Sequence, residues 1–185
     1  MAEPRPPHPD LERVDQGIPG IKIDLRYGSK NNFTGKQIYP QGFTAWLRPD
    51  CIRCLRNVQR DLIRQGYQIV ILDAYRPAWA QKILWAVRPD ANFLAPPRMG
   101  SRHTRGTSVD VTLADGAGLL VEMPSEFDAL GPKADHDFSD VTPVPRKHGE
   151  ILRQAMFKNG FSGVPAEWWH YDLIHWSKYP LIEEK

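Results

Sequence analysis

Ser101-Arg102-His103-Thr104-Arg105-Gly106-Thr107-Ser108-Val109-Asp110 reads as a turn that feeds a half-buried strand. From Ser108 to Leu113 the residues alternate, with Val109, Val111 and Leu113 on one face and Ser108, Asp110 and Thr112 on the other. The apolar face predicts a core contact, which leaves Asp110 to point into a cleft. Gly106 permits a sharp reversal that folds His103 back towards Asp110. Far downstream, Glu167-Trp168-Trp169-His170 supplies a second imidazole and a second carboxylate. Two histidines and one carboxylate are the protein ligand set of a catalytic zinc, which keeps its fourth position open for water. Glu167 lies three residues before the last histidine, where a carboxylate can accept that water's proton. Taken singly, His103, Asp110 and His170 are better read as structural hydrogen-bonding groups. Their occurrence together, in two short patterned segments, carries the metal reading.

Outward from this core, Ile69 to Leu72 is a continuous apolar run, read as a buried strand that delivers Asp73, Tyr75 and Arg76 at its end. Pro77 suits the first position of a helix running to about Val87. Asp50 is placed to cap an earlier helix reaching about Gln65, with Ile52, Leu55, Val58 and Leu62 on one stripe and Gly66 as the stop. On that helix Arg53, Arg56, Arg60 and Arg64 read as a solvated face. A strand is expected over Gly118 to Met123, a helix over Arg146 to Asn159, and a last strand over Trp168 to Leu173. Residues three apart in a regular strand point to opposite faces. Glu167 and His170 can serve one metal only if the chain bends near Ala166 to Trp168, and Pro165 is placed to start that irregularity.

With 185 residues the chain is expected to form one domain around a sizeable core, over 21–185, behind an extended or disordered arm at 1–20 that carries Pro4, Pro6, Pro7 and Pro9. A net charge of +2 gives no reason to expect nucleic acid or an anionic membrane. No apolar run approaches the roughly 20 residues of a membrane span. The first residues lack the apolar centre of a signal peptide. A cytoplasmic location is the default expectation, and a periplasmic one follows if a signal sequence has been removed. Oligomeric state leaves no mark in this composition. Cys51 and Cys54 form a Cys-x-x-Cys pair, but no further cysteines accompany them. They read as two ordinary thiols at a helix start. His8, His148 and His175 are poor candidates for the site, and His136, between Asp135 and Asp137, reads as part of a solvated loop.

Ser-x-His-x-x-Gly-x-x-x-Asp followed by Glu-x-x-His resembles the D-alanyl-D-alanine dipeptidases, zinc peptidases of the M15 family that share a metal-site architecture with D,D-carboxypeptidases and the hedgehog domain. Tyr27 followed by Asn32-Phe33-Thr34-Gly35-Lys36, then Asp73-Ala74-Tyr75-Arg76-Pro77, then Phe127-Asp128 after Met123, extend the resemblance from Tyr27 to Tyr171. It implies an α+β fold, with a small, mainly antiparallel sheet carrying the metal on one face and helices packed on the other. It also implies one zinc ion per chain, held by His103, Asp110 and His170, and hydrolysis of the D-alanyl-D-alanine dipeptide. Glu167 would be the general base and Arg76 the oxyanion-stabilising cation. Tyr27 and Asp128 would hold the substrate's ammonium, and Ser101 its carboxylate. Pro124 departs from the glycine that relatives favour near Asp128. Two other readings are a D,D- or L,D-carboxypeptidase acting on longer cell-wall peptides and a hedgehog-like zinc-containing binding module without catalysis. Retention of both Arg76 and Glu167 argues against the second, since a structural zinc needs neither.

Overall fold

The computed structural model describes residues 6–129 and 131–183. In chain order the regular elements are β1 (Glu12–Arg13), α1 (Val14–Gly17), β2 (Lys22–Ile23), β3 (Trp46–Leu47), α2 (Pro49–Ile63), β4 (Tyr67–Asp73), α3 (Ala78–Val87), β5 (Ser108–Asp115), α4 (Pro143–Lys158), β6 (Phe161–Val164) and β7 (Glu167–Leu173). Five strands form one sheet in the order β2-β4-β5-β7-β6. Only the β2–β4 pair is parallel; the other three pairs are antiparallel. The fold is α+β, as expected.

The alternation of β5 divides the molecule. Val109, Val111 and Leu113 join one core with Ile52, Leu55, Val58 and Leu62 of α2 and Leu152, Ala155 and Met156 of α4. Asp110 is thereby turned to the opposite face. The apolar run on β4 is buried throughout, and the β4–β5 ladder loses one step of register between Ile71 and Asp73. α3 packs elsewhere, with Ala80 and Leu84 in a cluster that contains Tyr27 and Tyr39.

Four expectations need correction. From Leu11 onward the N-terminal segment is packed: Leu11, Val14 and Ile18 are buried, and β1 pairs with β3. The proline run hides this, because the apolar residues that dock follow it. Asp50 does not cap α2, which starts one residue earlier at Pro49; its carboxylate instead takes the Tyr179 hydroxyl and pairs with Arg53. The expected strand at Gly118 to Met123 is reduced to a single bridge, Ala114 to Leu120. Leu119 and Leu120 are exposed there, and Pro124 cannot donate to a ladder. His136 is not solvated. Ala134, His136 and Phe138 are buried in alternation, and the His136 ring packs against Tyr171.

Candidate metal centre and active site

Three segments converge on the polar face of the sheet. A single 3-10 turn at His103–Arg105 ends on Gly106, whose φ of 71° is left-handed, and the chain reverses into β5. β5 then brings Asp110 opposite His170 of β7 in the ladder. The β4–α3 junction is tied to the same turn, since Arg76 N–H donates to the His103 carbonyl at 3.3 Å and the Thr104 hydroxyl donates to the Arg76 carbonyl at 2.9 Å. Arg76 and His103 are therefore positioned together.

The donor atoms lie close. His170 Nδ1 is 2.9 Å from Asp110 Oδ1 and 3.2 Å from His103 Nε2, and His103 Nε2 is 3.4 Å from Asp110 Oδ1. Metal–ligand bonds of about 2.0–2.2 Å in tetrahedral geometry separate donors by about 3.3–3.6 Å, so the triangle needs only small expansion. The outer nitrogens settle the tautomers. His103 Nδ1–H donates to the Ala74 carbonyl at 2.8 Å, and His170 Nε2–H donates to Asp172 Oδ1 at 3.1 Å. Each ring thus turns a lone pair towards the same point, the usual second layer around a metal-binding histidine. All three residues are buried, and the set fits a metal ion.

Electrostatics agree with the geometry. Burial alone would lower the pKa of His170, but the Asp172 and Asp110 carboxylates hold it well above its ordinary value. Burial likewise opposes ionisation of Asp110, yet His103 and His170 keep its carboxyl well below the usual range.

Around the triangle is a cavity of about 240 Å³ lined by Tyr27, Arg76, Ser101, Arg102, Asp128, Glu167 and Trp169 together with the three donors, and walled by residues 91–95. This is below the roughly 300–1,000 Å³ of drug-sized sites, and so it suits a ligand of about dipeptide size. Glu167 Oε2 stands 3.9 Å from His170 Nδ1, and burial raises its pKa. Arg76 is clamped: Nε and Nη2 reach Asp73 Oδ2 at 2.8 Å, Nη1 reaches Gln81 Oε1 at 3.0 Å, and Nη2 lies 3.5 Å from Asp110 Oδ2. Across the cavity the Tyr27 hydroxyl donates to both Asp128 oxygens at 3.2–3.3 Å. Asp128 makes no ion pair among the described residues. Burial, with Asp110 nearby, pushes it up to about 8. The Ser101 hydroxyl lines the cavity and accepts the His103 N–H at 3.2 Å.

All eight residues singled out in the sequence meet in this one cavity. The bend that Glu167 and His170 require lies in the β6–β7 ladder, where Gly163 pairs with Tyr171 and the next residue, Val164, pairs with Glu167. Asp172 and Gln81 were not anticipated in supporting roles. Asp172 follows His170 by two residues on a strand, hence on the same face, and that spacing was a usable signal. Cys51 and Cys54 are free, belong to α2 and do not line the cavity. No helix of the described residues is long and apolar enough to cross a membrane.

Comparison with known proteins points to a family. The family model described as "D-ala-D-ala dipeptidase", of the M15 peptidases, matches residues 8–181. The chain is 35% identical over 176 residues to the D-alanyl-D-alanine dipeptidase of Escherichia coli K12, covering 94% of this chain and 91% of that protein. It is 28% identical to the enzyme of the same name from Enterococcus faecalis, covering 87% and 90%. The solved structure of the LdcB LD-carboxypeptidase shares the fold at a TM-score of 0.54 and 16% identity, covering 90% of this chain and 69% of that one. With matches over most of the chain and a buried His-Asp-His donor set in place, the chain belongs to the D-alanyl-D-alanine dipeptidase family of M15 zinc metallopeptidases.

Proposed function

We propose that the protein hydrolyses the free D-alanyl-D-alanine dipeptide to two D-alanines, using one zinc ion held by His103, Asp110 and His170. The observation that carries this reading is Asp128, a buried carboxyl that accepts from a tyrosine hydroxyl and makes no ion pair among the described residues, in a cavity that also holds the donor triangle. A carboxylate so placed is costly unless a cation arrives, and the free ammonium of a dipeptide is such a cation. Tyr27 orients Asp128 towards it. Ser101, at the side of the cavity formed by the His103 turn, is assigned to the substrate carboxylate.

When bound, zinc supplies Lewis acidity towards the scissile carbonyl and lowers the pKa of a water molecule. Glu167 then takes a proton from the attacking water and delivers it to the leaving amine. Its raised pKa brings it nearer the operating pH, as a shuttle of this kind requires. Arg76 stabilises the charge that develops on the carbonyl oxygen. Its orientation is fixed beforehand by Asp73 and Gln81, so little reorganisation accompanies the step.

The test is substrate length. Free D-alanyl-D-alanine should be cleaved efficiently, with activity abolished by a chelator and restored by zinc. The N-acetylated dipeptide, and a tripeptide ending in the same pair, should be cleaved at least about 100-fold more slowly. Each loses a charge-assisted contact of roughly 1.5–3 kcal/mol and leaves Asp128 buried without a cationic partner. Equal rates on blocked or longer peptides would make the enzyme a carboxypeptidase instead. Glu167→Gln should retain about one zinc per chain, by metal analysis, and lose about 100-fold or more in turnover; near-normal turnover would remove Glu167 from its role.

A further inference from the structure

His136 lies outside the cavity, yet it packs against the segment that carries Glu167 and His170. β6 and β7 pair regularly from Phe161 with Leu173 to Gly163 with Tyr171, and the next pair is Val164 with Glu167. Trp168, Trp169 and His170 thus have no β6 partner, and this break lets Glu167 and His170 face one cavity. The His136 ring stands at the break. It meets the Tyr171 ring edge to face, with centroids 5.3 Å apart. A Cβ on Gly163 would come within 2.6 Å of its Nε2, so the ring is seated over the last regular pair and requires glycine beneath it.

The backbone of His136 is fastened to the same hairpin. Its N–H donates to the Pro165 carbonyl at 2.8 Å, and its own carbonyl accepts from Arg153 Nη1 at 2.9 Å. Neither ring nitrogen has a hydrogen-bond partner among the described residues, although the residue is buried. Main-chain acceptors at Glu167 and His170 lie near enough to favour its protonated form without completing a hydrogen bond. A buried polar ring left in this state calls for an explanation, and the break in the ladder supplies one.

We propose that His136 is a positioning residue: its ring, wedged over Gly163 and Tyr171, holds the start of β7 out of register so that Glu167 stays beside the metal ligands. The inference rests on Glu167 being the base. His136 touches no substrate and acts through the backbone it supports.

The experiment measures kcat, KM and bound zinc on the folded, zinc-loaded chain with D-alanyl-D-alanine. His136→Ala should lower kcat by about tenfold or more, as a small misplacement of a reacting group does, with KM within about threefold and zinc content unchanged. Gly163→Ala should also lower kcat, because its Cβ displaces the ring from the opposite side. The double variant should turn over at least as fast as His136→Ala, since that Cβ then fills vacated space. Unchanged kcat in either single variant overturns the proposal, as does a loss in which kcat and zinc fall together. Should His136→Ala not fold, Gly163→Ala decides alone by the same criteria. Turnover retained in Glu167→Gln would instead overturn the reading beneath. Turnover lost there but kept in the His136 and Gly163 variants overturns only this proposal.

Discussion

His170 is fixed from both sides. Its Nδ1 faces Asp110 and His103, and its Nε2–H is held by Asp172, which also receives the Ser108 hydroxyl at 2.6 Å and pairs with Arg102. Asp172 is buried, and burial opposes its ionisation, but His170, Ser108 and Arg102 keep it ionised well below the usual carboxylate range. A carboxylate in this position makes the imidazole a stronger donor to a metal. Asp172→Asn keeps the shape but leaves a weaker, neutral acceptor. Zinc affinity should fall by about 10-fold or more, towards the 10–100-fold typical of such outer partners, as read by competition with a chromogenic chelator. An unaltered dissociation constant would show that Asp172 serves only the fold. The ligands themselves were legible in the sequence because each sits in a short patterned run. Asp172 could be read only from its two-residue spacing after His170, and His136 not at all, since its importance arises from what the folded strands bring next to it.

Strands that alternate or run apolar were readable because side-chain period reports the faces of a sheet directly: β4, β5 and β7 all appear at or near their expected limits. Gly118 to Met123 misled for a physical reason. One edge of β5 is taken by β4, and β7 occupies only Ser108 to Asp110 of the other, so the returning chain finds a short free stretch and makes one bridge. The turn between His103 and Asp110 was readable from Gly106 alone. Its φ of 71° disfavours any Cβ, and a Cβ there would stand 2.6 Å from Leu11 Cδ2. Gly106→Ala should therefore destabilise the protein by about 1–3 kcal/mol and weaken zinc retention, because the two ligands flank the turn. Thermal melting and metal analysis together check this. An alanine variant that melts and holds zinc like the parent would mean that the turn tolerates displacement.

At the scale of the whole molecule, residues 11–18, invisible as structure behind a proline-rich start, pack into the fold. Arg48 ties this end to the rest, pairing with Asp10 at 2.8 Å and donating to the Arg105 and Pro180 carbonyls. Cooperative stability then depends also on buried groups that lie outside the cavity, and His136 is a clear case. Burial, reinforced by the nearby Arg153 guanidinium, lowers its pKa from 6.5 to about 4. A histidine with a depressed folded pKa stays neutral in the native state while the unfolded chain takes up a proton below about 6.5. Its contribution is intact above that pH and is lost as pH falls towards 4, where the folded ring also titrates. Between about pH 7 and pH 5 the loss amounts to at most about 2 kcal/mol. Other groups titrate over the same range, so the measurable quantity is a difference. Denaturant unfolding of the chelated parent and of chelated His136→Gln, which cannot titrate there, should diverge as pH drops, with the parent losing more stability. Parallel curves would mean that the ring titrates in the folded protein as it does in the unfolded chain, which its apolar surroundings at Phe138, Phe157 and Tyr171 oppose.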